Sequence, residues 1–141
     1  SIRIPVLHIA EATARELQRQ GVRKVLLLGT RYTMTQNFYK DKLIAAGIAV
    51  VIPDPAETDR INDIIFNELC LGIIADSSRE KYLSIIEKYA ATQVQGVILG
   101  CTEIGLLVRP EDVSLPVFDT TQIHAMEAVR QGLGQEKVTG G

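Results

Sequence analysis

Tryptophan is absent from these 141 residues, aromatics make up only 5%, and there are just two cysteines (Cys70, Cys101) and two histidines (His8, His124). So few thiol and imidazole ligands argue against a structural zinc site, and two cysteines cannot build a disulfide framework. Long apolar runs are missing too: the stretches at 25–28 and 48–52 fall far short of the roughly 20 residues that cross a bilayer. Charge of one sign is not in excess, with 15 Lys plus Arg against 17 Asp plus Glu and a net charge of −2. That balance removes the electrostatic case for nucleic acid or an anionic membrane as partner. With no recognisable signal segment, the cytoplasm is the expected compartment. What remains, 46% apolar and 23% charged, is the profile of one ordinary globular domain.

Strand-length apolar runs alternate with helix-length amphipathic ones. The pattern predicts strands at 5–9, 24–28, 48–52, 96–100 and 115–118. It predicts helices at 11–20, about 34–46, 57–71, about 77–92 and 121–131. Gly21 and Gly47 stand where helices should stop, and Pro53-Asp54-Pro55 closes a strand. Ser77 with Glu80 has the spacing of a capping box. Phe38, Leu43 and Ile44 are expected inward on one helix. Ile61, Ile64, Ile65, Phe66 and Leu69 should form one face of the next, with Cys70 in the core beside them. Fully apolar strands between helices imply an α/β fold, a parallel sheet with helices on both faces.

The segment at 4–10 (IPVLHIA) echoes that at 115–121 (LPVFDTT), and each runs on into an amphipathic helix; the second starts 111 residues after the first. Such spacing fits one of two similar, pseudo-symmetric α/β halves, a chance Pro-Val coincidence being the competing explanation. On this reading residues 1–20 end a first half and cross over, 21–119 form a second half, and 120–141 are a returning helix with a frayed tail. The expectation is a C-terminal half whose apolar faces at 2–9 and 121–131 need a second chain, giving a homodimer or higher oligomer.

Chemistry concentrates at two turns. GVILGCTEI (96–104) delivers Cys101 at the carboxyl end of a buried strand, where open α/β sheets bind ligands. Amides at a following helix start would favour a thiolate, able to act as nucleophile or base. An inert buried cysteine is the equally weighted alternative. LGTRYTM (28–34) is a strand-to-helix turn with glycine and two threonines, suited to a small carboxylate, or else only capping its helix. It matches neither G-x-G-x-x-G nor G-x-x-x-x-G-K-[ST], so no dinucleotide or P-loop nucleotide is supported. His8 and His124 read as hydrogen-bonded structural residues, and the clusters at 15–16 and 40–42 as solvated helix faces.

LLGTRYTM (27–34), IIFNELCLG (64–72), GVILGCTEIGLLV (96–108) and LPVFDTTQIHA (115–125) together resemble the aspartate/glutamate racemase family, in the aspartate-racemase branch with its broad-specificity amino-acid racemases. The resemblance implies proton transfer at the α-carbon of an amino acid by two cysteines, a thiolate on one side and a thiol on the other. Neither pyridoxal phosphate nor a metal is implied. Cys101 matches the second cysteine, Thr102 a carboxylate-binding position and Thr33 the substrate-binding threonine; Thr30 and Glu103 carry over as further substrate-binding candidates. Glutamate racemases usually have His where Glu103 stands.

Two departures shape the expectations. The first cysteine, in a Cys-Asn-Thr motif, has no counterpart, and the repeat puts it about 10 positions before Ser1. Alone, the chain is therefore expected to be inactive, unless two copies set Cys101 against Cys101. Aspartate-specific members also carry a Lys near ELCLG, where Leu71 and Ile73 stand here. An apolar residue cannot pair a buried carboxylate, so neutral amino acids are expected over aspartate. The alternatives are a one-cysteine decarboxylase or isomerase relative, and an inactive half-domain that binds a small acid or oligomerises.

Overall fold

The computed structural model describes residues 6–35 and 37–130. Helix α1 spans Val6–Arg19 and strand β1 Lys24–Leu28; α2 (Arg31–Thr35) and α3 (Asn37–Ala45) follow. Strand β2 (Ala49–Val51), α4 (Pro55–Asn67), a 3-10 turn at Leu69–Leu71 and α5 (Asp76–Ala90) lead to β3 (Gly96–Leu99). Beyond it lie α6 (Ile104–Leu107), a 3-10 turn at Pro110–Asp112, β4 (Val117–Asp119) and α7 (Thr120–Arg130). The four strands form one parallel sheet in the order β2-β1-β3-β4.

Side chains alternate across this sheet and divide the core in two. Leu26, Leu28, Val97 and Leu99 face a layer built from Ile61, Ile64 and Ile65 of α4, Tyr82, Ile85 and Ile86 of α5, and Ile104 and Leu107 of α6. Val25, Leu27, Ile98 and Phe118 face the opposite layer, where α1 packs against α3 and α7. Both faces are thus covered, which is why these strands carry no polar side chains in their buried centres. Gly21 and Gly47 end their helices at φ +73° and +85°, left-handed positions that glycine adopts without steric cost.

Several sequence expectations are corrected. Residues 6–9 are helical, the first turns of α1, not a strand; Ala10, Ala12 and Ala14 favour helix and are buried, and Thr13 is held by the Ile9 carbonyl at 2.8 Å. The rest of the expected strand, residue 5, lies outside the described residues, as does residue 131 of the last helix. Ile44 and Phe66 point outward, more than half exposed, and the Phe38 side chain is outside the described set. Cys70 is exposed rather than core, because α4 stops at Asn67 and the following turn leaves the packed face. Ser77 is not a cap: α5 begins at Asp76 after Ala75, which makes no side-chain cap bond. The capping box is at α4 instead, where Asp54 accepts from the Glu57 amide at 2.9 Å and Glu57 accepts from the Asp54 amide at 3.1 Å.

Candidate active site

Because β1 and β3 are parallel neighbours, with Leu28 opposite Leu99, the turns after them leave the same edge of the sheet. The Gly100 amide still donates to the Leu28 carbonyl at 2.7 Å, tying the two turns together. Thr33 closes the gap: its Cγ2 lies where a Cβ on Gly29 would meet it at 3.1 Å and one on Gly100 at 3.3 Å. Thr30 shares a 3.2 Å hydroxyl contact with Thr33 and accepts from the Thr33 amide at 3.3 Å. So Thr30 caps α2 while standing beside Thr33, and both hydroxyls sit half-buried next to the Cys101 turn. Arg31 is anchored away, its amide on Asn62 Oδ1 at 2.7 Å and its guanidinium on Asp59 at 3.0 Å.

Cys101 is half-buried, and its Sγ donates to Glu103 Oε1 at 2.9 Å. Burial and then this carboxylate push its thiol up from 9.0 to about 11; the Glu103 and Ile104 amides pull the other way and are outweighed. The expected pull of a following helix on this thiol is thus opposed by burial and by Glu103, and that helix has only four residues. Glu103 is held below the usual carboxylate range by the Cys101 thiol, then by the Thr102 hydroxyl. Thr102 itself is exposed at the mouth of the turn.

Below the sulfur lies Tyr82 of α5, fully buried, its phenol donating to the Ile61 carbonyl at 2.8 Å. Burial, then the nearby Cys101 and Glu68, push this phenol well up, so it stays neutral. Glu68 accepts from the Ser78 hydroxyl at 2.6 Å. The sequence reading passed over Tyr82, Glu68 and Asn62. A signal existed for Asn62, a polar residue between isoleucines on the buried face of α4; for Tyr82 the sequence offers only an aromatic at a core position. His124 is half-buried on α7, and the His8 side chain is outside the described residues. Among the described residues no cluster of three His, Cys, Asp or Glu could hold a metal, and no helix is long and apolar enough to cross a membrane.

An Asp/Glu/hydantoin racemase family model matches residues 1–128. The chain belongs to the Asp/Glu/hydantoin racemase family. Among solved structures it is similar to a candidate Asp/Glu racemase from Yersinia pestis, with 53% identity and a TM-score of 0.86 over 90% of this chain and 56% of that one. It also resembles an aspartate racemase homologue from Pyrococcus horikoshii (44% identity, TM-score 0.82, 87% of this chain and 54% of that one). The aspartate racemase of Picrophilus torridus is similar at 27% identity and TM-score 0.63, over 79% and 46% of the two chains. An uncharacterised protein from Pectobacterium carotovorum is 27% identical over 77% of this chain and 71% of its own length. The chain spans about half the length of the solved relatives it matches. The racemase-family fold is thus shared across the sheet and both helical layers.

Proposed function

We propose that this racemase-family chain contributes Cys101 and a carboxylate-holding edge to a cofactor-independent amino-acid racemase. The observation that supports the reading is a half-buried thiol on the turn after β3, which is tied to the neighbouring turn carrying the half-buried Thr30 and Thr33 hydroxyls. Hydroxyls and turn amides suit a substrate carboxylate, which also acidifies nothing by itself; the α-proton must be met by a base held close to it. In this reading Cys101 serves one face of the α-carbon, giving its proton to a carbanion there. A second thiol serves the opposite face and takes the substrate's proton as thiolate. Cys70 cannot be that partner, being exposed on the turn after α4. The reading calls for neither pyridoxal phosphate nor metal, and free thiols used this way fit the cytoplasm.

Leu71 and Ile73 stand where acid-specific members carry a lysine, so neutral amino acids are the proposed substrates. The test uses the protein as its gene encodes it, offered neutral amino acids and aspartate of either hand, with inversion followed by chiral chromatography. Cys101→Ser should abolish interconversion, whereas Cys70→Ser should leave it intact. Failure of the wild-type protein to invert any of them overturns the racemase reading, and comparable turnover of aspartate overturns the specificity.

One observation favours a second reading. Among the described residues one half-buried cysteine stands at the site, and a decarboxylase of small disubstituted acids needs only one thiol, to protonate its carbanion. Release of carbon dioxide from a substituted malonate, without amino-acid inversion, would select it.

A further inference from the structure

We infer that Glu103 is a positioning residue whose carboxylate, through its hydrogen bond to the sulfur, keeps Cys101 in the protonated, proton-donating state. Its catalytic meaning rests on the racemase reading, but the interaction belongs to this chain. Glu103 follows Cys101 by two residues, and the contact is 2.9 Å. The Thr102 hydroxyl and the Glu103 amide also favour the charged form of this carboxylate. Such an engaged carboxylate is poorly placed to receive a substrate group itself.

Among the described residues, the ionisable groups facing the sulfur are few. Glu103 comes from its own turn and Tyr82 from α5, with Glu68 behind Tyr82 at the end of α4. Tyr82 is neutral and committed to the Ile61 carbonyl, and Glu68 to Ser78. None of the three is cationic, so nothing in this set offsets the charge of Glu103. A thiol beside a carboxylate is a weak acid, and its thiolate a strong base.

The consequence for proton transfer follows. When Cys101 gives up its proton, the carbanion's electron pair forms the new C–H bond and the S–H pair stays on sulfur. The resulting thiolate faces the carboxylate and is driven to recover a proton, from the α-carbon when the substrate enters with the opposite hand. Enantiomers in water have equal free energy, so a change at Glu103 must alter kcat/KM equally in both directions. The diagnostic is therefore a pH profile rather than a directional preference.

The experiment measures alkylation of Cys101 by iodoacetamide against pH in the Cys70→Ser chain, read by intact mass. It is repeated with E103Q, which keeps an acceptor of the same shape without the charge, and with E103D. The wild-type midpoint is expected well above the roughly 8.5 of a free thiol, and E103Q about one unit or more lower, a tenfold larger thiolate fraction near neutral pH. The alkylation rate there should rise less, about threefold, because a less basic thiolate is less nucleophilic. E103D keeps the charge and should stay closer to wild type. Superimposable profiles for wild type and E103Q, with circular dichroism showing both folded, overturn the inference. If E103Q does not fold, a wild-type midpoint at or below that of a free thiol overturns it instead. A shifted profile in a protein that inverts no amino acid removes the racemase reading and leaves the Cys101–Glu103 pair standing.

Discussion

A methyl group added at Gly100 would meet the Leu28 carbonyl oxygen at 3.1 Å and Thr33 Cγ2 at 3.3 Å. A backbone carbonyl in a central strand cannot give way, so Gly100→Ala should cost about 1–3 kcal/mol in urea unfolding and displace Thr33. An unchanged midpoint would show that the two turns are less tightly joined than their 2.7 Å hydrogen bond implies. Tyr82→Phe removes one buried hydrogen bond to the Ile61 carbonyl and should cost about 1 kcal/mol, measured the same way. These residues also show what a sequence can and cannot reveal about a site. That the turns bearing Cys101, Thr30 and Thr33 leave one edge was legible, because strand ends of a parallel sheet share an edge and a turn composition marks each end. The upward push on the Cys101 thiol was not. It depends on how deeply the sulfur sits and on the side-chain rotation of Glu103, and neither is encoded in spacing.

At the scale of elements, the start of α4 is the most heavily tied helix end in the molecule's described part. Its capping box is joined by Lys88 Nζ on Glu57 at 2.9 Å and by the Tyr89 hydroxyl on Glu57 at 2.7 Å. Glu57→Ala removes the side-chain half of the box and the Lys88 and Tyr89 contacts but keeps the residue-57 amide on Asp54, and should cost about 1 kcal/mol, seen as a lower thermal midpoint. Asp54 is held below its usual 3.8 chiefly by the Glu57 amide. Glu57 is resisted by burial, but its bonds from Lys88 and Tyr89 prevail and bring it below 4.5. Depressed carboxylates add stability above their unfolded values and lose it as pH falls through the folded ones. Thermal midpoints should therefore drop below about pH 4, and less steeply in Glu57→Ala. The strands were readable because an apolar run between glycines and prolines has few alternatives. The segment at 6–9 was misread because Val, Leu and Ile suit strand and buried helix alike. Packing of α1 on α3 and α7 decided it. The Asp54 box was overlooked for a similar reason: Asp-Pro-Ala-Glu satisfies the spacing only once the helix is known to start at Pro55.

The whole molecule has its own acid–base limit at the other end. Burial raises Tyr39 from 10.0 to about 12 and Cys101 from 9.0 to about 11, and Tyr82 rises as well. Groups whose folded values are raised support the fold below their unfolded values and lose that support as pH climbs. Stability should be level through neutral pH and fall from about pH 9 upward, which thermal melts in alkaline buffers will show; a flat profile to pH 11 would contradict it. Leu71 and Val129 are each about two-thirds exposed, and Phe66, Ile73, Ile74, Leu106 and Met126 are also open. Apolar surface on this scale is expected to be covered by association, so sedimentation should show a dimer or larger species at tens of micromolar. A monomer at every concentration would count against the proposed oligomer. The strand order carries a last consequence, one of timing. Val25 in β1 pairs with Gly96 in β3, 71 positions later, while β2 arrives early on the opposite flank. On a ribosome adding about 5–20 residues each second, the nascent β1 waits about 4–14 s for that partner with one apolar edge unzipped. The edge bearing Cys101 is assembled at the close of this interval, when a nascent chain is most exposed to aggregation and most in need of a chaperone.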